Sequence, residues 1–229
     1  MGYLLLEGGA EFGGRMREPD ERAIALAGGP DAPIAIIPTA AAPDNNHARA
    51  GGNGVRWFRS LGAQNVESLP LTDRAAARSP AVVDALRAAR LIYMLGGFPH
   101  YLGQTLLGSE AWRAAREAHA AGAVLGGSSA GAMVLCEHYF DPQARAVLPG
   151  LGMLPNSCVL PHHNTFGKGW AERLGTLLPN AVLIGIDERT GMIDDGADGA
   201  WQVYGQGSVT LYRGGRATSY KPGQGFVLQ

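Results

Sequence analysis

The sequence lacks the features that would direct it to a membrane or to a nucleic acid. No apolar stretch in its 229 residues is long enough to cross a membrane. Lysine and arginine number 19 against 20 acidic residues, the net charge is −1, and no basic stripe is visible. We therefore expect neither a membrane partner nor a nucleic-acid partner.

Cysteine is scarce as well. The chain has two cysteines, Cys136 and Cys158, without the spacing of a metal site or of a disulfide framework. Both lie in apolar sequence, which favours buried thiols. The N-terminal segment has no basic n-region and no cleavage site, so we expect a cytoplasmic protein.

Glycine, in contrast, is abundant. There are 34 glycines, many of them in adjacent pairs dispersed along the chain. Paired glycines permit tight turns and close backbone approach. With 46% hydrophobic and 17% charged residues, the composition predicts a globular chain with one sizeable core. We expect residues 1–229 to form a single domain, with residues 200–229 as its C-terminal β extension.

Short apolar runs alternate with helical patterns over most of the chain. Strands are predicted at residues 3–6, 34–38, 65–71, 91–95, 123–126, 158–161 and 181–186. Helices are predicted at residues 20–27, 47–61, 80–89, 105–121, 130–136 and 170–178. This alternation is typical of an α/β fold with a mostly parallel sheet flanked by helices. Short strands at residues 200–204, 208–212 and 226–228 predict a C-terminal antiparallel β-meander.

Two adjacent serines follow the strand predicted at residues 123–126. Residues 126–132 read GGSSAGA, and the pattern Gly-x-Ser-x-Gly is met with Ser129 at its centre, whereas centring it on Ser128 puts Ala130 at the last glycine. In such a nucleophile elbow, a sharp strand-to-helix turn exposes the serine hydroxyl, and free N–H groups at the helix start favour an oxyanion. A glycine-rich turn without chemistry explains the pentapeptide equally well.

A serine nucleophile needs a base, and the base needs an orienting acid. Of the six histidines, His162 and His163 follow a predicted strand, which places them at the carboxyl edge of a sheet. The candidate acids are Asp187, Glu188, Glu137 and Asp141. The first two of these acids also follow a predicted strand, at residues 181–186. Serine, histidine and carboxylate thus each follow a separate strand, which is hard to explain by structural needs alone.

A glycine pair supplies a further element. Gly96 and Gly97 end the strand predicted at residues 91–95. An N–H group there can act as a second oxyanion donor, opposite that of Ala130. An ordinary tight turn is the alternative interpretation.

In motif order, these segments resemble the aspartyl dipeptidase (dipeptidase E)/cyanophycinase family of serine peptidases. The resemblance covers about residues 3–195, and the segment at residues 126–132 is its most specific part. It implies a glutamine-amidotransferase-like α/β fold with a Ser-His-Glu constellation. Matched residue by residue, it implies that the nucleophile, base, acid and two oxyanion donors are Ser129, His162, Glu188, Gly97 and Ala130.

The resemblance further implies a serine peptidase that acts on short peptides through an acyl-enzyme, without metal or cofactor. A dipeptidase-like preference for Asp before the scissile bond is part of that expectation. The sequence departs from the family pattern around substrate-selecting positions, and we expect Phe98, His100, His163 and Asn164 to contact the substrate. Two alternatives remain: an esterase or amidase with Phe98 and Tyr101 in an apolar acyl pocket, and a non-catalytic binding module.

Overall fold

Strands and helices alternate along the chain in the computed structural model, which describes residues 2–228. The strands are β1 (Leu4–Glu7), β2 (Ile34–Ile37), β3 (Val66–Ser68), β4 (Leu91–Met94), β5 (Val124–Ser128), β6 (Cys136–Asp141), β7 (Ala146–Pro149), β8 (Leu154–Leu160), β9 (Val182–Ile186), β10 (Thr190–Ile193), β11 (Trp201–Gly205), β12 (Val209–Arg213), β13 (Arg216–Tyr220) and β14 (Gly225–Phe226). The α-helices are α1 (Arg17–Leu26), α2 (His47–Ser60), α3 (Pro80–Ala88), α4 (Pro99–Leu106), α5 (Glu110–Ala120), α6 (Ala130–Leu135) and α7 (Ala171–Leu177). The predicted α/β class is confirmed.

The strands form two mixed sheets. The larger sheet has the order β14-β11-β10-β1-β5-β4-β2-β3. Its last five strands, β1, β5, β4, β2 and β3, pair with their neighbours in parallel. The smaller has the order β13-β12-β9-β8-β6-β7, with β6, β8 and β9 parallel at its centre. The C-terminal strands are antiparallel, as expected, but they are divided: β11 and β14 extend the larger sheet, and β12 and β13 the smaller.

Two local predictions differ from the structure. The single helix predicted at residues 105–121 is two helices in the structure, because α4 ends at Leu106 and α5 begins at Glu110. Ser109 caps α5 by accepting the Trp112 N–H at 3.0 Å. Pro99 opens the preceding helix at a position that proline favours. The strands β6, β7, β10 and β13 were not predicted. Strand β6 starts at the residue after α6, so no turn signal separates the two elements.

Buried side chains cover both faces of the larger sheet. Leu5 and Leu6 are consecutive in β1, both are fully buried, and they belong to hydrophobic clusters on opposite faces. A strand covered on both faces reads as an unbroken apolar run, which explains the sequence pattern of β1, β2 and β4. No helix among residues 2–228 has the length and apolar character that a membrane span requires.

Two carboxyl groups are fully buried beside β1. Tyr93 donates a hydrogen bond to Glu7 Oε2, and Trp57 Nε1 donates one to Asp20 Oδ2 at 2.7 Å. Glu7 Oε1 and Asp20 Oδ1 have no N–H or O–H donor among the described residues, which disfavours the charged form of both buried carboxyls. Burial raises the pKa of Asp20 to about 7, and burial with the Asp20 charge raises the pKa of Glu7 well above its usual range.

We predict that Asp20→Asn weakens the pH dependence of stability, because it removes one of these acids and keeps an acceptor for Trp57. The raised folded-state pKa means that the stability contributed below about pH 4 is lost as the pH rises towards about 7. Calorimetry from pH 4 to 8 should therefore show a shallower fall of Tm in the variant. Asp31→Asn, at an exposed carboxylate, is the control. An unchanged slope in Asp20→Asn would contradict the raised pKa of Asp20.

Candidate active site

Ser129 lies at a sharp turn between β5 and α6. Its φ of 49° and ψ of −109° fall in a region that residues other than glycine rarely adopt. Ala130 begins α6, so its backbone N–H is one of the first-turn donors that no helical carbonyl can accept. The turn thus has the strand-turn-helix geometry of a nucleophile elbow.

The serine hydroxyl contacts a histidine that in turn contacts a carboxylate. Ser129 Oγ lies 3.0 Å from His162 Nε2, and His162 Nδ1 lies 2.8 Å from Glu188 Oε1. His162 follows β8 and Glu188 follows β9, so the smaller sheet provides both, whereas the larger provides the serine. A carboxylate at Nδ1 orients the imidazole so that Nε2 can take a proton from the serine.

The loop after β1 joins the carboxyl ends of the two sheets through backbone hydrogen bonds. The Ser129 N–H donates to the carbonyl of residue 7 at 3.0 Å, and the His162 N–H donates to that of residue 8 at 2.7 Å. The Arg189 N–H, one residue beyond Glu188, donates to the carbonyl of residue 9 at 3.0 Å. Ser129 and His162 are therefore bonded directly to residues 7–9, and Glu188 is held there through its neighbour Arg189.

Two residues that the sequence analysis did not assign to the site lie against the His162 ring. Gly9 has a φ of 111°, and a Cβ atom there would lie 2.3 Å from the His162 Cε1 atom. Phe166 stacks on the ring with centroids 4.9 Å apart, and 55% of its surface is exposed. The pair Gly8-Gly9 after β1 is the sequence signal that marks Gly9, whereas no sequence signal marks Phe166.

The glycine pair after β4 lies next to the serine. A Cβ atom at Gly96 would lie 3.3 Å from Ser129 Cβ. Gly97 has a φ of 137°, and a Cβ atom there would lie 2.3 Å from the Ala40 carbonyl oxygen, so only glycine fits. Within residues 2–228 the Gly97 N–H has no protein acceptor. It is thus available to a ligand beside the serine.

His163 lies elsewhere than expected. The residue is only 5% exposed, with its Nδ1 3.3 Å from Asp187 Oδ1 and its Nε2 2.8 Å from the Tyr212 hydroxyl. This corrects the expectation that His163 contacts the substrate. The physical reason is the packing of the His163 ring against the smaller sheet: a Cβ atom at Gly185 would lie 2.4 Å from its Cδ2 atom, and Tyr212 contacts the ring.

The other residues expected at the substrate have varied surroundings. Asn164 Oδ1 accepts the Glu188 backbone N–H at 2.9 Å, so this side chain supports the acid. Phe98 is half-buried and precedes α4, and it borders a cavity described below. His100 Nδ1 lies 3.2 Å from the Tyr139 hydroxyl.

The alternative acids on β6 do not reach His162. Glu137 Oε2 accepts the Asn156 N–H at 2.7 Å, and Asp141 accepts the backbone N–H groups of Gln143 and Ala144 at 3.1 and 3.3 Å. Glu137 thus binds the backbone of β8, and Asp141 binds the turn that follows its own strand. Of the four candidate acids, the one that the structure joins to His162 is Glu188.

A cavity of about 460 Å³ opens beside the glycine pair. Its wall includes Glu11, Asp44, Arg49, Gly97 and Phe98. This volume lies in the range of small-molecule sites. The cavity therefore offers room for a small ligand next to the Gly97 N–H.

Comparison with known proteins gives the class that this fold and site define, the serine-type peptidases. The sequence model of peptidase family S51 matches residues 4–197. The chain therefore belongs to peptidase family S51 and is a hydrolase of peptide bonds.

Its relatives with curated names include several cyanophycinases. The chain is 32% identical over 219 residues to the cyanophycinase of Nostoc sp. (strain PCC 7120), covering 91% of this chain and 72% of that protein. It is 31% identical over 229 residues to that of Geminocystis herdmanii (strain PCC 6308), covering 95% and 82%. These similarities agree with the family resemblance inferred from the motifs.

Solved structures agree on the fold. The crystal structure of a peptidase from an acI-B1 Actinobacterium matches with a TM-score of 0.88 and 31% identity, over 99% of this chain and 96% of that one. A Listeria monocytogenes EGD-e protein named as a candidate peptidase E matches with a TM-score of 0.62, over 93% and 98% of the chains. At 21% identity, the second match shows the fold alone.

We predict that Gly9→Ala lowers peptide turnover about a hundredfold, because the added methyl group would displace the His162 ring. Turnover per folded molecule is the measurement, with Tm recorded beside it. Gly13→Ala is the matched control, since its Cβ atom would have nothing within 4 Å and its φ is extended. Wild-type turnover in Gly9→Ala would contradict the close packing.

Proposed function

We propose that this protein is a dipeptidase-like serine peptidase that hydrolyses short peptides through an acyl-enzyme. Ser129 is the nucleophile, His162 the general base and Glu188 the orienting acid. The observation that carries the proposal is the pair of hydrogen bonds, at 3.0 and 2.8 Å, that joins these side chains in series.

The reaction follows from the positions of these atoms. Ser129 Oγ attacks the scissile carbonyl carbon while His162 Nε2 takes its proton, and the same nitrogen then protonates the departing amine. A water molecule, deprotonated by His162, attacks the acyl-enzyme and releases the serine. The N–H groups of Gly97 and Ala130 bind the oxygen on which negative charge develops in both steps.

Glu188 acts on the imidazole rather than on the substrate. Its Oε1 accepts the His162 Nδ1–H, which keeps Nε2 free to accept the serine proton and stabilises the imidazolium once it forms. Asn164 secures the backbone of Glu188, and the side chain of that acid stays one-third exposed. A fixed carboxylate therefore supplies both the tautomer and the orientation that the serine needs.

The cavity that borders Gly97 supports the proposed substrate class. A cavity of about 460 Å³ suits a short peptide better than a folded protein. Arg49 borders this cavity and supplies the cation that Asp on the amino-terminal side of the scissile bond would need. Because the carboxylates of Glu11 and Asp44 lie on the same wall, that aspartate would have to pair with Arg49 directly. Phe98 on the same wall favours an apolar neighbour.

We predict that Ser129→Ala abolishes peptide cleavage, with a loss of about four to six powers of ten in turnover. The substrates are Asp-Xaa, β-linked Asp-Arg, Glu-Xaa and neutral dipeptides, together with cyanophycin because of the relatives' name. Mass spectrometry detects the new amines. Labelling by a fluorophosphonate should be lost in parallel, because the reagent needs the serine oxygen.

The control for this variant is Ser60→Ala, at an exposed serine near the end of α2. It should cleave and label as the wild type does. Full activity in Ser129→Ala would overturn the proposed mechanism. Hydrolysis of simple esters without any peptide turnover would instead favour an esterase or amidase that uses the same serine.

We predict that substitution has opposite effects on the two residues of each adjacent pair, His162-His163 and Asp187-Glu188. His162→Gln and Glu188→Gln should lower kcat about a thousandfold or more, because the proton acceptor or its orienting acid is lost. His163→Gln and Asp187→Asn should keep kcat near the wild-type value and lower Tm, because the buried His163 pairs with the half-buried Asp187. Steady-state kinetics and thermal denaturation separate the two effects.

Each of the two adjacent pairs, His162-His163 and Asp187-Glu188, contains its own matched control, because its two residues are neighbours in sequence and have the same kind of side chain. A large loss of kcat in His163→Gln with an active His162→Gln would reverse the assignment of the base. The same reversal between Asp187→Asn and Glu188→Gln would reassign the acid.

A further inference from the structure

Glu11 connects the two segments that carry the proposed oxyanion donors. Its Oε2 accepts the Ser128 hydroxyl at 2.8 Å, and its Oε1 accepts the Gly96 N–H at 3.4 Å. Ser128 directly precedes the proposed nucleophile, and Gly96 directly precedes the proposed donor Gly97. One carboxylate thus bridges the ends of β4 and β5 from a third segment, the loop after β1.

The backbone around Glu11 holds its carboxylate in this position. Ala10 has a φ of 58° and Phe12 a φ of 67°, so residues on both sides of Glu11 adopt the left-handed conformation that costs side-chain-bearing residues free energy. The Phe12 ring lies 5.9 Å from that of Tyr93 and 6.5 Å from that of Phe58, between centroids. The aromatic cluster therefore anchors a strained loop that directs Glu11 inward.

The bridge has a consequence for the serine turn. Ser128 is fully buried, so without Glu11 its hydroxyl would lose a charged acceptor in a place that water does not reach. The Gly96 N–H would lose its acceptor at the same time. One of the contacts that hold the Ala130 and Gly97 N–H groups at their separation would thus be lost, and the two segments could shift relative to each other.

We propose that Glu11 is a positioning residue that sets the geometry of the oxyanion site by holding Ser128 and Gly96 together. The inference rests on the proposed function, since it assigns the oxyanion role to Gly97 and Ala130. Glu11 acts through its neighbours and not on the reacting atoms. Its effect therefore belongs to transition-state stabilisation and falls on kcat.

The test compares Glu11→Met with Glu11→Gln on a peptide that the wild type cleaves. Met keeps the length of the side chain but accepts neither hydrogen bond, and it should lower kcat about tenfold to a hundredfold with KM within about twofold. Gln can accept the Gly96 N–H and donate to the Ser128 oxygen, so it should stay within about threefold of the wild type. Fluorophosphonate titration of active sites corrects for unfolded protein.

Ser128→Ala tests the same bridge with a minimal change, should Glu11→Met fold poorly. It removes one donor, and we expect kcat to fall about threefold to tenfold with KM unchanged. Combining it with Glu11→Met should add little to the loss in Glu11→Met, because that change already breaks the hydrogen bond to Ser128. Glu67→Met, at an exposed glutamate on β3, is the matched control and should behave as the wild type.

Three outcomes would overturn the inference. One is a wild-type kcat in Glu11→Met, and another is a loss in Glu11→Gln as large as that in Glu11→Met. A rise in KM with kcat unchanged would show that Glu11, on the cavity wall, contacts the substrate instead. Turnover retained by Ser129→Ala would overturn the proposed function itself, so the two failures are distinguishable.

Discussion

Three successive carbonyl oxygens, those of residues 7–9, accept the backbone N–H groups of Ser129, His162 and Arg189. The first carbonyl ends β1 in the centre of the larger sheet, whereas two of the donors follow strands of the smaller sheet. This set of bonds fixes the distance between the serine turn and the loops that carry the histidine and the carboxylate. The hydrogen-bond series from Ser129 to Glu188, and the packing of Gly9 under the imidazole, depend on that distance.

The same positions carry backbone strain. Ser129, His162 and Arg189 all have left-handed φ values, of 49°, 50° and 57°. Such conformations cost about 1–3 kcal/mol each, and they persist where the surrounding structure determines the backbone. Here the hydrogen bonds to the carbonyl groups of residues 7–9 hold the backbone in these conformations. Strain and attachment together bring the Ser129 and His162 side chains within hydrogen-bond distance of each other, whereas the Arg189 side chain is exposed.

The degree to which the site could be read from the sequence varied from residue to residue. The pattern around Ser129 distinguished it from Ser128 because a nucleophile elbow needs small residues at defined offsets. Residue patterns left His162 and His163 open, and the family resemblance selected the first. The structure shows why: the two rings serve separate pairs, one with Glu188 and one with Asp187. Glu11 was missed, because its partners Ser128 and Gly96 are distant in sequence.

Local patterns in the chain predict the α/β class, the alternation of buried strands with helices and the strand-turn-helix motif at Ser129, because these depend on periodicity and on small residues at short spacing. Three features became visible in the fold alone: the strands divide into two sheets, His162 rather than His163 contacts the serine, and the loop after β1 holds the site together. These features depend on backbone hydrogen bonds between distant segments and on the φ of single residues, and neither leaves a periodic pattern in the chain.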